Sequence, residues 1–163
     1  MPRQSADNSK IENVATLPFN MVIISGLACG RDGGMIQSMI FPFYMCAGGK
    51  IGDGQQWFPW VHVDDVAGIF AHALENDHVT GVLNAVAPDT CRNEDFTRAF
   101  AKQLNRIAMT TVPAFALKMS LGSERAAMLL QGPKVIPKRT LETGYAFQYP
   151  LLDMACREFG HMF

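Results

Sequence analysis

The sequence predicts an α/β fold in which a parallel sheet is joined to a small, mixed but mostly helical lobe. One observation is a continuous apolar run, "MVIISGLACG" at Met21 to Gly30, which stops at a glycine. Such runs are typical of strands buried on both faces of a parallel sheet. A second is that strand and helix patterns alternate from Trp57 to Asp89, whereas mostly helical patterns follow. This order favours an early sheet and a late helical lobe.

Composition sets the class of protein. The chain has 163 residues, 48% of them hydrophobic and 18% charged, with a net charge of -1. These values fit one globular domain with a core and exclude a disordered chain. They also give no basic excess that would favour nucleic acid as a partner. No apolar run is long enough to span a membrane, and the polar residues 1–20 read as a loose tail. Widely spaced cysteines and no secretory signal predict an intracellular, cytoplasmic protein.

Glycine and proline divide the first part of the chain. The paired glycines of "RDGGM" predict a flexible loop. The mostly apolar segment Met35 to Gly49 predicts a helix that is interrupted or ended near Pro42, because proline lacks the amide hydrogen a helix needs. Further glycines then end this segment and open a turn at Gly48, Gly49, Gly52 and Gly54.

The next elements are a short strand, a helix and a strand. "WFPWVHV" reads as a strand with an edge or irregular position at Pro59. Asp64 or Asp65 is the natural N-cap of the following helix. That helix has one apolar stripe, at Val66, Ile69, Phe70, Ala73 and Leu74. "GVLNAVAPD", Gly81 to Asp89, predicts another strand.

The remainder predicts mostly helices. Asn93 is expected to cap a second helix, Pro113 to begin a third at about 114–121, and Ser123 to cap a fourth that ends near Gly132. "PKVIPKR" is expected to be extended because two prolines forbid a helix. Residues 145–147 predict a short strand, and Pro150 opens a last helix.

The common catalytic motifs are absent from the sequence. The nearest approach to a GxGxxG phosphate loop is "GDGQQW", which lacks the third glycine and leads into a strand. No Tyr-x-x-x-Lys pair and no G-x-S-x-G elbow occur. The histidines lack zinc-ligand spacing, so no metal is expected. No catalytic residue is therefore assigned.

Three further features leave alternatives open. His62, close to two aspartates, is favoured as a structural residue over a ligand contact or a base. Trp57, Phe58 and Trp60 could line a pocket, although core packing explains at least one face. The basic group Lys134, Lys138 and Arg139 is favoured as a solvated surface over a phosphate site.

Four ordered segments carry a resemblance to a known family: "GLACGRDGGM", "IFPFYMCAGGKIGDGQQWFPWVHVDDVAGIFAHALEN", "GVLNAVAP" and "AAMLLQGPKVIPKRTLETGYAFQYP". The chain from about Val22 onward resembles the C-terminal half of the epimerase family, which is a group of atypical, extended short-chain dehydrogenase/reductases. The resemblance implies a Rossmann-type fold with a late parallel strand and a substrate lobe. It divides the chain into an unrelated tail (1–20), a remnant of the NAD(P)-binding domain (21–90) and a C-terminal extension (91–163).

The resemblance also implies the site. Ala28 stands where the family has a small residue that touches the cofactor through its backbone. The substrate cleft would be lined by Gly33, Gly34, Met39, Pro42, Gln56, Trp57 and His62. The full-length family uses NADP, but the phosphate loop and the acid/base pair precede the matching region. We therefore expect this chain alone to bind no cofactor.

Two functions follow as expectations. In the first, the chain is a truncated member of an NADP-dependent nucleoside-sugar epimerase/oxidoreductase family, which contributes substrate-lobe elements and is inactive alone. Its small-molecule substrate is not specified, and neither nucleic acid nor membrane is expected as a partner. In the second, the chain is a non-enzymatic interaction module, whose exposed strand Met21 to Cys29 pairs with a protein partner or with itself. A strand without sheet partners would also make the isolated chain marginally stable.

Overall fold

The computed structural model describes residues 21–30, 34–45, 47–108, 110–113, 115, 119 and 122–160. Its strands are β1 (Met21–Ser25), β2 (Leu27–Gly30), β3 (Gly49–Ile51), β4 (Trp57–Phe58), β5 (Trp60–His62), β6 (Gly81–Ala85), β7 (Cys91–Arg92) and β8 (Thr110–Val112). Its helices are α1 (Gly34–Tyr44), α2 (Val63–Glu75), α3 (Asn93–Gln103), α4 (Ser123–Gln131), α5 (Lys138–Glu142) and α6 (Leu152–Gly160). Among these residues, no helix has both the length and the apolar character needed to cross a bilayer.

Parallel pairing dominates the described strands, which confirms the predicted α/β class. β1 pairs with β6, β2 with β5 and β3 with β8, all in parallel, while β4 and β7 pair antiparallel. Parallel strands need a crossover connection. Helix α2 connects β5, the partner of β2, to β6, the partner of β1, and it packs on the β1–β6 pair through Ile69 and Ala73.

The apolar run at Met21 to Gly30 is two strands rather than one, and each has a parallel partner. The amide of Gly26 donates to the carbonyl of Ala85 at 2.9 Å, whereas the amide of Leu27 donates to the carbonyl of Pro59 at 2.7 Å. The chain therefore changes partner at Gly26. The prediction of burial on both faces is wrong for β1, and the expected lack of sheet partners is wrong too. One side of β1 is open, with Val22 56% and Ile24 53% exposed.

Gly26 is the position where this change of partner leaves no room for a side chain. A Cβ there would collide with the carbonyl oxygen of Pro59 and would lie 2.8 Å from Cγ1 of Val86. We expect Gly26→Ala to lower the free energy of unfolding by about 1–3 kcal/mol, because the β1–β2 junction must move away from Pro59. Urea denaturation followed by circular dichroism measures this loss. The exposed neighbour Ser25 supplies the control, since Ser25→Ala should change stability by less than about 0.5 kcal/mol; equal losses would contradict the steric account.

Two clusters of buried side chains form the core. The smaller joins α2 to the β1–β6 pair. The larger joins α1, α3 and α6 around the aromatic residues Phe43, Phe58, Trp60, Phe96, Phe100 and Phe159. Among these rings, Phe58 and Phe96 lie 4.3 Å apart between centroids, and Phe43 meets Phe100 edge to face at 5.2 Å. Core packing therefore accounts for Phe58 and Trp60.

Several element boundaries differ from the predictions. Helix α1 contains Pro42 but ends near it as predicted, at Tyr44, and the Pro42 carbonyl accepts the amides of Ala47 and Gly48 beyond that end. Residues 145–147 are irregular rather than a strand, and Lys138 and Arg139 begin the short helix α5. Helix α4 ends at Gln131, near Gly132 as predicted, but Ser123 is its first residue rather than the cap before it. Most of the helix predicted at 114–121 falls outside the described residues.

The apolar stripe of α2 is only partly buried. Ile69 and Ala73 are in the core, but Phe70 is 48% exposed and Leu74 is 60% exposed. A helix with apolar residues on more than one face does not reveal from its sequence which of them meets the sheet.

Candidate functional site

The carboxyl ends of β2 and β5 form the edge at which a cofactor contact was expected. Ala28 is in register with Val61, and Cys29 with His62. Ala28 is exposed, whereas Cys29 and Gly30 are buried. A Cβ on Gly30 would lie 2.7 Å from Cγ1 of Val63, so glycine allows the strand to end directly against the first residue of α2. Ligands of open parallel sheets bind outside this end of the strands.

His62 caps helix α2, so the prediction of an aspartate N-cap is wrong. The backbone of His62 is extended (φ -73, ψ 144), and its Nδ1 accepts the amide of Asp64 at 3.2 Å. Helix α2 begins at Val63, which leaves Asp64 and Asp65 in its first turn. Their negative charges there still favour the positive end of the helix dipole.

The His62 ring is only 1% exposed and is held between two aromatic rings. Its centroid lies 3.8 Å from that of Tyr149 and 5.5 Å from that of Phe159, both in stacked orientation. Nε2 lies 3.2 Å from Oε2 of Glu158, although the alignment falls short of a full hydrogen bond. Because Nδ1 accepts an amide hydrogen, the neutral ring carries its proton on Nε2, which faces Glu158.

Asp65 is fully buried and is bound by the C-terminal part of the chain. Its carboxylate accepts the hydroxyl of Tyr145 at 3.0 Å and the amides of Gln148 and Tyr149 at 2.7 and 3.0 Å. Burial, together with the neighbouring Asp65 charge, raises the pKa of Tyr145. Asp65 is therefore a tertiary acceptor rather than a cap. Sequence reasoning missed this role, because the partners lie about 80 residues away.

Tyr149 contacts both residues described above: its amide donates to Asp65, and its ring stacks on His62. A hydrogen bond with Glu158, together with burial, raises the pKa of Tyr149 to about 12. In the unfolded chain the phenol titrates near its ordinary value of about 10. The folded state therefore holds this proton more tightly than the unfolded state.

This difference predicts a loss of stability in alkali. The contribution of Tyr149 is fully present below about pH 10 and disappears as the pH rises through its folded pKa near 12. We expect the free energy of unfolding to fall over this interval, and to fall less steeply in Tyr149→Phe, which has no phenolic proton. Urea denaturation at a series of pH values measures the slope. Identical slopes for the two proteins would contradict the Glu158 hydrogen bond.

The residues assigned to the substrate cleft lie in different surroundings. Gly33 lies outside the described residues, and Gly34 begins α1. Met39 and Pro42 are half-buried on α1, and Met39 packs against the larger core cluster. Among the assigned cleft residues that the structure describes, His62 alone lies on the strand paired with β2, where it is in register with Cys29, the residue after Ala28.

Gln56 and Trp57 lie before the Pro59 break and hold the turn there. Nε2 of Gln56 donates to the carbonyl of Ile51 at 3.0 Å. Trp57 is half-buried, and the cations of Arg92 and Lys134 lie 4.5 and 4.4 Å from its ring centroid. Trp57 borders a crevice of about 10 Å³, far below the roughly 300–1,000 Å³ of a ligand pocket.

Asn93 supports the same turn instead of capping α3. It is the first residue of that helix, and its Oδ1 accepts the amide of Ile51 at 2.8 Å. The N-cap position belongs to Arg92, whose amide donates to the Asp95 carboxylate at 3.2 Å. The predicted cap is therefore wrong by one residue, and Asn93 binds β3 to the start of α3.

One group of side chains has the composition of a metal site. Donor atoms of His62, Asp64 and Glu158 all lie within 4.8 Å of one another. A metal-bound histidine normally donates its second ring N–H to an acceptor. Here Nδ1 already faces the amide of Asp64, so a metal on Nε2 would leave the ring without its proton. The arrangement therefore suits a hydrogen-bonded network better than a metal.

The buried thiols are poor nucleophiles. Cys29, Cys91 and Cys156 are free and buried. Burial raises the pKa of all three, to about 12 for Cys91 and Cys156. Only the thiolate attacks, so none of these cysteines is suited to covalent catalysis at neutral pH.

Two family models match the chain. The "NAD dependent epimerase/dehydratase family" matches residues 24–85, which contain the Ala28 edge and the His62–Asp65 junction. "Domain of unknown function (DUF1731)" matches residues 112–159, which contain the partners of Asp65 and Glu158. The site thus lies where these two regions meet.

Relatives and solved structures match most of the chain. Epimerase family protein SDR39U1 of Bos taurus is 46% identical over 155 residues, which are 92% of this chain and 53% of the relative. The Homo sapiens protein of that name is 45% identical over 154 residues, with the same coverage. The crystal structure of human SDR39U1 (isoform 2) with NADPH superimposes with a TM-score of 0.84 at 45% identity, over 88% of this chain and 48% of the human one.

A more distant structure shows the same fold. The nucleoside-diphosphate sugar epimerase from Corynebacterium glutamicum has a TM-score of 0.63 at 26% identity, over 86% of this chain and 26% of that one. The chain spans about half the length of the curated relatives it matches. It corresponds to their C-terminal half, has their Rossmann-like fold, and belongs to the epimerase family of the short-chain dehydrogenase/reductases.

Proposed function

We propose that this chain supplies the substrate-lobe side of an NADP-dependent nucleoside-sugar epimerase or oxidoreductase. One observation carries the proposal: Ala28 is exposed at the carboxyl end of β2, while its neighbours Cys29 and Gly30 are buried. A single small exposed residue at this end of a parallel strand lets a flat ring approach the backbone closely. NADPH, with which the human relative was crystallised, contains such a ring.

The residues of this chain fit one end of that cofactor. The backbone at Ala28 would border the nicotinamide, whose chemistry when bound is hydride transfer. Of the residues assigned to the adjoining substrate cleft, Gly33, Gly34, Met39, Pro42 and His62 would line it, while Gln56 and Trp57 would support the turn that leads into the lobe. His62 would act there as a wall and support, because its ring is enclosed by Tyr149 and Phe159.

The sequence does not provide the other end of the cofactor site. It has no GxGxxG turn leading into a helix and no Tyr-x-x-x-Lys pair. A helix N-terminus after such a turn is what binds the pyrophosphate. We therefore propose that the chain alone is inactive and binds NADP weakly.

Titration of the isolated chain with NADPH, followed by the cofactor's fluorescence, tests this proposal. We expect no saturable binding below about 1 mM, which corresponds to a binding free energy weaker than about 4 kcal/mol. Human SDR39U1 (isoform 2) serves as the positive control, because it has been crystallised with NADPH. Micromolar binding by the isolated chain would overturn the proposal.

A second candidate function is protein association through β1. Val22, Ile24 and Val82 are each about half exposed on the β1–β6 pair, on the side opposite α2. In parallel sheets both faces are normally covered. The surface therefore suits a protein partner or a second copy of the chain.

Light scattering over a range of chain concentrations tests self-association. We expect a mass above that of the monomer, and Ile24→Lys should return it to the monomer by placing a charge on the apolar face. Thr80→Lys, at an exposed position beside β6, is the matched control. A wild-type chain that stays monomeric at every concentration would contradict self-association.

We also propose an intracellular location, which the free thiols at Cys29, Cys91 and Cys156 support.

A further inference from the structure

We propose that the C-terminal residues 145–160 act as a clamp that positions the strand end bearing Ala28, with Glu158 and Tyr149 as positioning residues. These residues belong largely to the region that matches the domain of unknown function. The inference rests on the proposed function in one respect, namely that Ala28 borders the cofactor. The contacts that form the clamp lie within this chain and do not depend on the cofactor.

The first contact of the clamp is with the start of α2. Asp65 is fully buried and accepts three hydrogen bonds, all from residues 145–149. Two of the donors are backbone amides, so the irregular segment itself is bound to the helix. A charged acceptor makes such bonds about twice as strong as neutral ones.

The second contact is with the last residue of β5. The rings of Tyr149 and Phe159 enclose His62, and Glu158 lies 3.2 Å from its Nε2. The nearby Glu158 carboxylate also raises the pKa of the Tyr149 phenol. The clamp therefore fixes the plane of the imidazole as well as its position.

His62 connects the clamp to the cofactor edge. It is in parallel register with Cys29, the residue after Ala28, and its Nδ1 caps α2. Gly30 ends β2 directly against Val63. A displacement of His62 would thus be transmitted to Ala28 through the β2–β5 pair and through the start of α2. Strand β3 is a suitable reference, because it pairs with β8 and not with β2 or β5.

Hydrogen exchange in the full chain tests the clamp residue by residue. The variant Glu158→Leu removes the acceptor at similar volume, while Glu158→Gln keeps an oxygen that can face Nε2. We expect Glu158→Leu to speed amide exchange at residues 28–30 about tenfold relative to residues 49–51 of β3, because the buried Nε2 of His62 would lose the carboxylate that faces it at 3.2 Å. Glu158→Gln should restore most of the protection. Glu142→Leu, at an exposed position on α5, is the matched control.

Nitrogen NMR of the His62 ring gives an independent signature. In the wild-type chain we expect the Nε2–H tautomer with a slowly exchanging ring proton, and we expect that proton to exchange rapidly in Glu158→Leu. Equal acceleration at residues 28–30 and 49–51 would indicate a general loss of stability and would overturn the clamp. Unchanged exchange at residues 28–30 would overturn it as well. Neither readout involves NADPH, so failure of cofactor binding would contradict the proposed function and leave the clamp standing.

Discussion

Replacement of Asp65 by alanine is expected to lower the free energy of unfolding by about 3–5 kcal/mol, one of the two largest effects in this chain. The carboxylate is fully buried and accepts one hydroxyl and two backbone amides. Alanine would leave the amides of Gln148 and Tyr149 buried without an acceptor. Each such donor costs about 1–3 kcal/mol.

Urea denaturation measures this effect, and the neighbouring aspartate supplies the control. Asp64 is exposed, and its own amide rather than its carboxylate takes part in the helix cap. Asp64→Ala should therefore cost less than about 1 kcal/mol. Asp65→Asn, which keeps one acceptor oxygen, should fall between the two. Similar losses for Asp64→Ala and Asp65→Ala would mean that both residues act only through the helix dipole.

Phe159→Ala is expected to lower the free energy of unfolding by about 3–5 kcal/mol, since it empties a fully buried site. The ring packs in the larger core cluster and stacks on His62. Phe70→Ala is an informative control, because Phe70 lies on the apolar stripe of α2 and yet its side chain is 48% exposed. We expect that change to cost less than about 1 kcal/mol. Thermal and urea denaturation measure both variants, and equal losses would contradict the assignment of faces on α2.

Patterns within a short window predicted much of the fold. The apolar run at Met21 to Gly30 is strand-forming, although it holds two strands, and the proline break at Pro59 and the strand at Gly81 each correspond to an observed feature. The helix α2 also follows from its spacing of apolar residues. These features depend on neighbours in sequence, which is where periodicity and turn chemistry are informative.

Contacts between distant residues could not be predicted in the same way. The cap of α2 was assigned to an aspartate because carboxylates are common there, but the fold uses Nδ1 of His62. That choice frees Asp65 to accept donors about 80 residues later in the chain. Likewise, Gly26 looks like an ordinary strand residue until the carbonyl of Pro59 is placed beside it.

The site assignments came from the resemblance rather than from spacing, and they remain predictions. Ala28 has the exposure that a cofactor contact requires. Gln56 is occupied with the carbonyl of Ile51, and Trp57 with two cations, so both support the turn before β4. No local motif marks Glu158 or Tyr149, because their importance arises only where the C-terminal residues fold back on His62.

One measurement tests the central claim most directly, namely that this chain supplies the cofactor edge at Ala28. Residues 22–163 would replace the matching half of human SDR39U1, and the chimera would be titrated with NADPH. We predict a dissociation constant within about tenfold of that of the human protein, and a loss of at least about tenfold in affinity for the chimera with Ala28→Glu but not with Thr80→Glu. A folded chimera that does not bind NADPH, or one that Ala28→Glu leaves unchanged, would contradict the claim.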